Sequence, residues 1–214
     1  MRWDGHATEV RADVRRGTLE RAHIQRVDRG RTWMLASGTG APRLWQRAAH
    51  AALAGGARAH EEARELAPAP RLGATLDGAR AGLLAAVNAL VERRHPDCAF
   101  LVMTLAQGVL HVASAGNLRA YHRRSGQPKR LTPREQDASS GLLGATPTTA
   151  SASLDPGDLV LAGTSTAFSS SAVGRVATVL KTDPSTPPSV LASLLVEPAR
   201  QAGAGAAALA LRVR

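Results

Sequence analysis

The apolar positions change period partway along the chain. Arg31–Ala36 (RTWMLA) is a short apolar run of strand length. It ends at Ser37-Gly38-Thr39-Gly40, where glycine permits a tight turn. Pro42 then predicts a helix start, and Trp45, Ala48, Ala49, Ala52 and Leu53 recur at helical spacing. Gly55-Gly56 predicts a break or kink in that helix. Ala67–Gly73 reads as a connector and Thr75 as the N-cap of a second helix. Its stripe is Leu76, Ala79, Leu83, Val87 and Leu90, running to about Arg94 and stopped by Pro96.

Beyond Pro96 the pattern is that of strands. Cys98–Leu105 and Val109–Ser114 flank Ala106-Gln107-Gly108, a predicted hairpin. Leu118–Arg123 is a third strand, followed by a turn at Ser125-Gly126. Thr148–Leu154 alternates weakly, Asp155-Pro156-Gly157 is a turn and Asp158–Ala162 a buried strand. Phe168–Leu180 and Ser189–Gln201 read as helices separated by Thr182–Pro188, and Ala207–Val213 as the last strand. Strands and helices are grouped rather than alternating. That pattern predicts an α+β domain of antiparallel layers, not a doubly wound parallel sheet. With no long linker, residues 1–214 read as a single domain, whose segment 1–20 is dense in arginine and not assignable.

Composition narrows this further. Hydrophobic residues are 44% of the 214 but aromatics only 3%, so Ala, Leu and Val must fill the core. Lys and Arg number 27 against 17 acids, a formal charge of +10, which limits chemistry that depends on carboxylates. A single cysteine, Cys98, excludes an intramolecular disulfide framework and a multi-cysteine zinc site. The charged Met1–Arg16 stretch does not read as a signal peptide, and runs such as Ala99–Ala106 are too short to span a bilayer, so a cytoplasmic location is expected.

Four short stretches, in order, resemble the motifs of the metal-dependent Ser/Thr protein phosphatases of the PPM (type 2C) family. Trp33–Ala41 (WMLASGTGA) matches a strand followed by A-D-G-x-G-G; Gly116–Tyr121 (GNLRAY) matches G-D-S-R-A-Y. Pro156–Thr166 (PGDLVLAGTST) matches P-G-D, a hydrophobic strand and S/T-D-G; Gly203–Val213 matches the D-N pair before the last strand. The resemblance runs from about Arg21 to the C-terminus. It implies a compact four-layer α-β-β-α sandwich, two antiparallel sheets flanked by helix pairs. The short stretch from Glu135 to Gly144 leaves no room for a flap subdomain, which is closer to the sporulation-type branch.

In that family the motif aspartates hold two Mg²⁺ or Mn²⁺ ions that activate water. Mapped position by position they become Ser37, beside Gly38, then Asn117, Ser165 and Ala204. The family's N-E-D motif has no counterpart near Arg21–Val27, and Arg16 and Arg21 are both candidates for its phosphate-binding arginine. Hard dications prefer charged oxygen ligands, whereas Ser and Asn offer only a neutral oxygen and Ala none. The resemblance therefore implies a vestigial dimetal site, no catalytic or metal-ligating residue and no bound cofactor: a pseudophosphatase acting as a protein-binding or regulatory module in phosphorylation signalling. An active phosphatase with non-standard ligands and a basic nucleic-acid-binding protein are the alternatives.

Other candidates read more plainly. The seven histidines show no recognised ligand spacing; His95 and Cys98 are three apart but interrupted by Pro96. Cys98 begins an apolar strand and reads as core. Gly38-Thr39-Gly40 lacks the lysine of a full phosphate-binding loop. Cys98–Arg134 holds no acid but carries Arg119, Arg123, Arg124, Lys129, Arg130 and Arg134, a candidate patch for an acidic or phosphorylated partner. With Tyr121 the lone tyrosine, base stacking is poorly served, which ranks protein above nucleic acid.

Overall fold

The computed structural model describes residues 3–14, 17–88, 96–134 and 141–214. Its strands are β1 (Trp3–Val10), β2 (Ala12–Val14), β3 (Gly17–Leu19), β4 (Ala22–Val27), β5 (Thr32–Thr39), β6 (Asp97–Ala106), β7 (Val109–Ala115), β8 (Arg119–Arg124), β9 (Gln127–Arg130), β10 (Thr148–Ser153), β11 (Leu159–Gly163) and β12 (Ala206–Val213). Helices α1 (Trp45–Glu62) and α2 (Pro68–Asn88) follow β5, and α3 (Ser170–Thr182) and α4 (Pro188–Gln201) follow β11.

Two antiparallel five-stranded sheets carry the fold, in the orders β1-β12-β11-β8-β9 and β10-β7-β6-β5-β4. Period-2 alternation sends successive residues of each central strand to different layers. Leu35, Leu101, Val112, Val160 and Leu209 meet between the sheets. Met34, Phe100 and Val102 face α1 and α2, while Leu159, Leu161 and Ala208 face α3 and α4. The result is the expected α-β-β-α layering. Three separate cores explain how a chain poor in aromatics stays closed: each layer gap is thin and filled by Ala, Leu and Val. Both hairpin turns place two residues at positive φ, Gln107-Gly108 at 50° and 77°, Ser125-Gly126 at 48° and 86°. Such turns match the twist of the flanking strands.

Several boundaries differ from the sequence reading. Gly55-Gly56 neither breaks nor kinks α1. A Cβ at Gly55, Gly78 or Gly82 would lie 2.3–2.4 Å from an atom of the facing helix, so these glycines let α1 and α2 touch backbone to backbone. The Ala67–Gly73 connector is helical from Pro68, and Thr75 lies inside α2, not at its cap. Its hydroxyl donates to the Arg71 carbonyl at 2.8 Å. Ser37 to Thr39 belong to β5, leaving Gly40 alone at positive φ. The described part of the arginine-rich N-terminus forms the edge strand β1 and a separate two-stranded β2–β3 sheet, hidden in sequence because β1 is only half-buried. Strand β9, QPKR, went unread because it has no apolar residue except Pro128.

His60 is buried on α1, with Nδ1 3.0 Å from the Thr75 hydroxyl and Nε2 unpartnered. Burial first, then the nearby Arg71 charge, lowers its pKa to about 4, against smaller opposing pulls from Asp28 and Glu61. The unfolded chain therefore binds a proton that the fold refuses. Stability should fall between about pH 6.5 and 4, by on the order of 2 kcal/mol. Denaturant titrations across that range should show the slope, and His60→Gln should flatten it; an unchanged slope in the variant would assign it to another group.

Candidate functional site

The motif positions lie at one end of the two sheets. Ser37 and Gly38 close β5, opposite Ala99 and Cys98 of β6. Phe100 pairs with Ala115 of β7, so Gly116 and Asn117 emerge at that same end. In the other sheet Gly163 pairs with both Arg119 and Ala208; Ser165 leaves β11 and Ala204 enters β12 beside them. Asn117 Nδ2 donates to Ser165 Oγ in a long, 3.5 Å bond. Thr166 donates to the Gly205 carbonyl at 2.9 Å, binding the β11 exit to the β12 entry.

Arg21 connects the two halves. Its Nε donates to the Gly38 carbonyl at 3.4 Å and its guanidinium lies 4.9 Å from the Trp45 ring centroid. A Cβ at Gly205 would meet the Arg21 Cβ at 2.9 Å, so the arginine stem is seated against the β12 entry. Burial lowers the pKa of this guanidinium, which still stays charged at any ordinary pH. Of the two arginine candidates, Arg21 thus stands among the motif residues; Arg16 lies outside the described residues. Ser37 is buried on the inter-sheet side, in step with Leu35, and Ala204 offers no side-chain donor at all.

No protein-family model and no curated protein matches the chain. Solved structures do. The Mycobacterium tuberculosis serine/threonine phosphatase PstP/Ppp superposes with a TM-score of 0.81 over 99% of both chains at 16% identity. The PPM Ser-Thr phosphatase MsPP from Mycobacterium smegmatis gives 0.74 over 99% of this chain and 98% of its own, at 17% identity. The PstP catalytic domain in complex with two manganese ions gives 0.78, covering 99% of each chain at 18% identity. The chain has the fold of the PPM Ser/Thr phosphatases.

The PPM fold implies a dimetal centre, and among the described residues the motif positions expected to hold one carry no carboxylate. Ser37, Asn117 and Ser165 offer neutral oxygens, and Asn117 already turns its amide on Ser165. Gly38 has no space for a side chain, since a Cβ there would sit 2.4 Å from the Trp45 Cα. Acids near this end include Asp13, exposed on β2, whose N–H donates to the Gly203 carbonyl at 2.7 Å, and Asp97, which opens β6 opposite Thr39 and whose carboxylate accepts from the N–H groups of Cys98, Gly141 and Leu143. Asp97 is committed to backbone N–H groups and Asp13 is exposed, so neither is placed to offset the mutual repulsion of two dications, and Arg21 adds to that repulsion.

The six basic candidates are divided by the β8–β9 register, which pairs Tyr121 with Arg130 and His122 with Lys129. Arg119, Arg123 and Arg130 share the Tyr121 face, beside α3. Arg119 is spent internally, donating to the Phe168 carbonyl at 2.9 Å. Arg124 lies on the other face and pairs with Asp158 at 2.8 Å and Asp155 at 3.0 Å. Lys129 and Arg134 are exposed, and Arg123 and Arg130 half-exposed. Cys98 is fully buried and its thiol pKa is pushed up by that burial, which removes it as a nucleophile. His95 lies outside the described residues.

Sequence spacing overlooked one cluster. Glu20, His23 and His50 offer ligand atoms that all lie within 4.8 Å of one another. Glu20 and His23 are three apart at the β4 entry, but His50 comes from α1, so no single short motif holds all three. Among the described residues this is where three such groups meet, and none of the motif positions belongs to it.

Proposed function

We propose that this protein is a catalytically inactive member of the phosphatase fold, a pseudophosphatase serving as a protein-binding or regulatory module in Ser/Thr phosphorylation signalling, with neither Mg²⁺ nor Mn²⁺ at the old dimetal position. The observation that carries the reading is the donor set there. Where charge must be concentrated, the chain has a buried serine, an asparagine bonded to a second serine, and an alanine. A metal-activated nucleophile and a metal clamp on the phosphoryl group are both lost with the ligands. The signalling role rests on likeness of fold, an argument by association. The exposed cations of the β8–β9 hairpin favour an acidic or phosphorylated protein as partner, in the cytoplasm.

The test is direct. Purified protein incubated with an aryl phosphate or a phosphoserine peptide and millimolar Mn²⁺ should show no turnover above the metal blank. A Mn²⁺-dependent rate that disappears in Asn117→Ala or Ser165→Ala would overturn the proposal and establish an active enzyme with unusual ligands.

A further inference from the structure

On the opposite face of the β4–β5 pair from Ser37, the side chains make a different kind of site. His23 pairs in register with Ala36, which packs toward α1, whereas Ser37 and Ile24 belong to the inter-sheet side. The His23 and His50 rings approach with centroids 4.3 Å apart. His23 Nε2 is buried, has no hydrogen-bond partner, and lies 3.5 Å from Glu20 Oε2. Its other nitrogen, Nδ1, faces Glu9 Oε2 at 3.4 Å.

We propose that Glu20, His23 and His50 bind a divalent transition ion of the Zn²⁺ class, with Glu9 orienting His23 from behind. Two imidazoles and one carboxylate are the ligand types that such ions prefer over oxygen-only sites. A tetrahedral site with bonds of about 2.0–2.1 Å puts its ligand atoms roughly 3.3 Å apart. The three atoms must therefore draw in by up to about 1.5 Å, and the exposed His50 side chain on α1 is placed to make that move.

The surroundings are already organised for this. A metal-bound imidazole characteristically gives its second N–H to a carboxylate, which fixes ring and tautomer. Glu9 stands at that position, itself held by the Ile24 N–H at 2.6 Å. Glu20 is fixed by Arg11 at 2.5 Å on Oε1 and by Gln46 Nε2 at 2.9 Å on Oε2. Oε2 keeps a second lone pair for the ion. Because β4 and β1 are edge strands of different sheets, the ion would fasten one edge of the sandwich and the start of α1 together. The fourth coordination position falls to water on the solvent side of His50.

The experiment is calorimetric titration of Zn²⁺ into untagged, chelator-treated protein. One ion per chain is expected, accompanied by a rise in melting temperature. His50→Ala should weaken binding more than about 100-fold and Glu9→Gln by about tenfold or more, the range typical of lost outer-shell partners. Glu20→Gln should also weaken it, whereas Asn117→Ala and Ser165→Ala should leave it unchanged, which keeps this result independent of the pseudophosphatase reading. Mn²⁺ should compete poorly. Absence of binding to the wild type, equal affinity in His50→Ala, or loss of binding on replacing His6 or His111 instead would overturn the proposal.

Discussion

Gly82→Val should destabilise the protein by about 3 kcal/mol, the upper range for a side chain forced into packed surroundings. Two effects compete at this position. Removing a glycine from a helix interior favours folding by roughly 1 kcal/mol. Against that, a Cβ at Gly82 would come within 2.4 Å of the Ala51 carbonyl oxygen and 3.0 Å of the Gly55 Cα. These are backbone atoms of α1 and cannot swing away, so the steric cost wins and even Gly82→Ala should be destabilising. Gly73 and Gly174 are the internal controls. They lie within α2 and α3, and a Cβ at either meets nothing within 4 Å. There the propensity gain stands alone, and alanine should stabilise by about 0.5–1 kcal/mol. Urea denaturation of the three alanine variants measures all three signs. Stabilisation by Gly82→Ala would show that α1 and α2 do not touch as described.

The second large effect is expected at Asp158. Its carboxylate is 5% exposed and accepts from His122 Nε2 at 2.8 Å, from Arg124 at 2.8 Å and 3.1 Å, and from the Asp155 N–H at 2.9 Å. Burial by itself would raise its pKa, but these bonds outweigh burial and hold the group below the ordinary carboxylate value. Asp158→Asn leaves a buried imidazole and a guanidinium facing a neutral amide, and should cost about 3 kcal/mol. The depressed pKa fixes the sign with pH. The stabilisation is complete above the unfolded-state value of about 3.9 and is lost as pH falls through the lower folded value. Wild type and Asp158→Asn should thus converge in strong acid, below the window in which His60 acts. Parallel curves at all pH values would assign the loss to shape rather than charge.

Much of the layered fold was legible because the buried strands and helices carry unbroken periodic patterns. The Cys98–Leu105 run and the stripe through Leu76, Ala79 and Leu83 have one packing solution each. What escaped had mixed or polar faces. Strand β1 alternates half-buried and exposed positions, and β9 has no apolar stripe, so neither differs locally from a loop. Gly55-Gly56 was misread because local propensity cannot see that α2 supplies glycines at matching positions. The four motif stretches end at strand termini, and the topology gathers those termini at one end of the sandwich. Arg21 became distinguishable from Arg16 only through its contacts with Gly38, Trp45 and Gly205. Of the Glu20, His23 and His50 group, the Glu20–His23 spacing is visible in the sequence, but the third member is supplied by α1 through the fold.

The burial of Cys98 has a practical consequence. The one sulfur atom of the chain outside methionine lies in β6, central in its sheet, beneath α1 and α2. Fraying of the edge strands does not uncover it; the Gly141–Leu142 segment and the helices packed on the start of β6 must move away first. The rate at which a thiol reagent labels the protein is therefore a clock for that deeper opening, installed in the native sequence without any engineered probe.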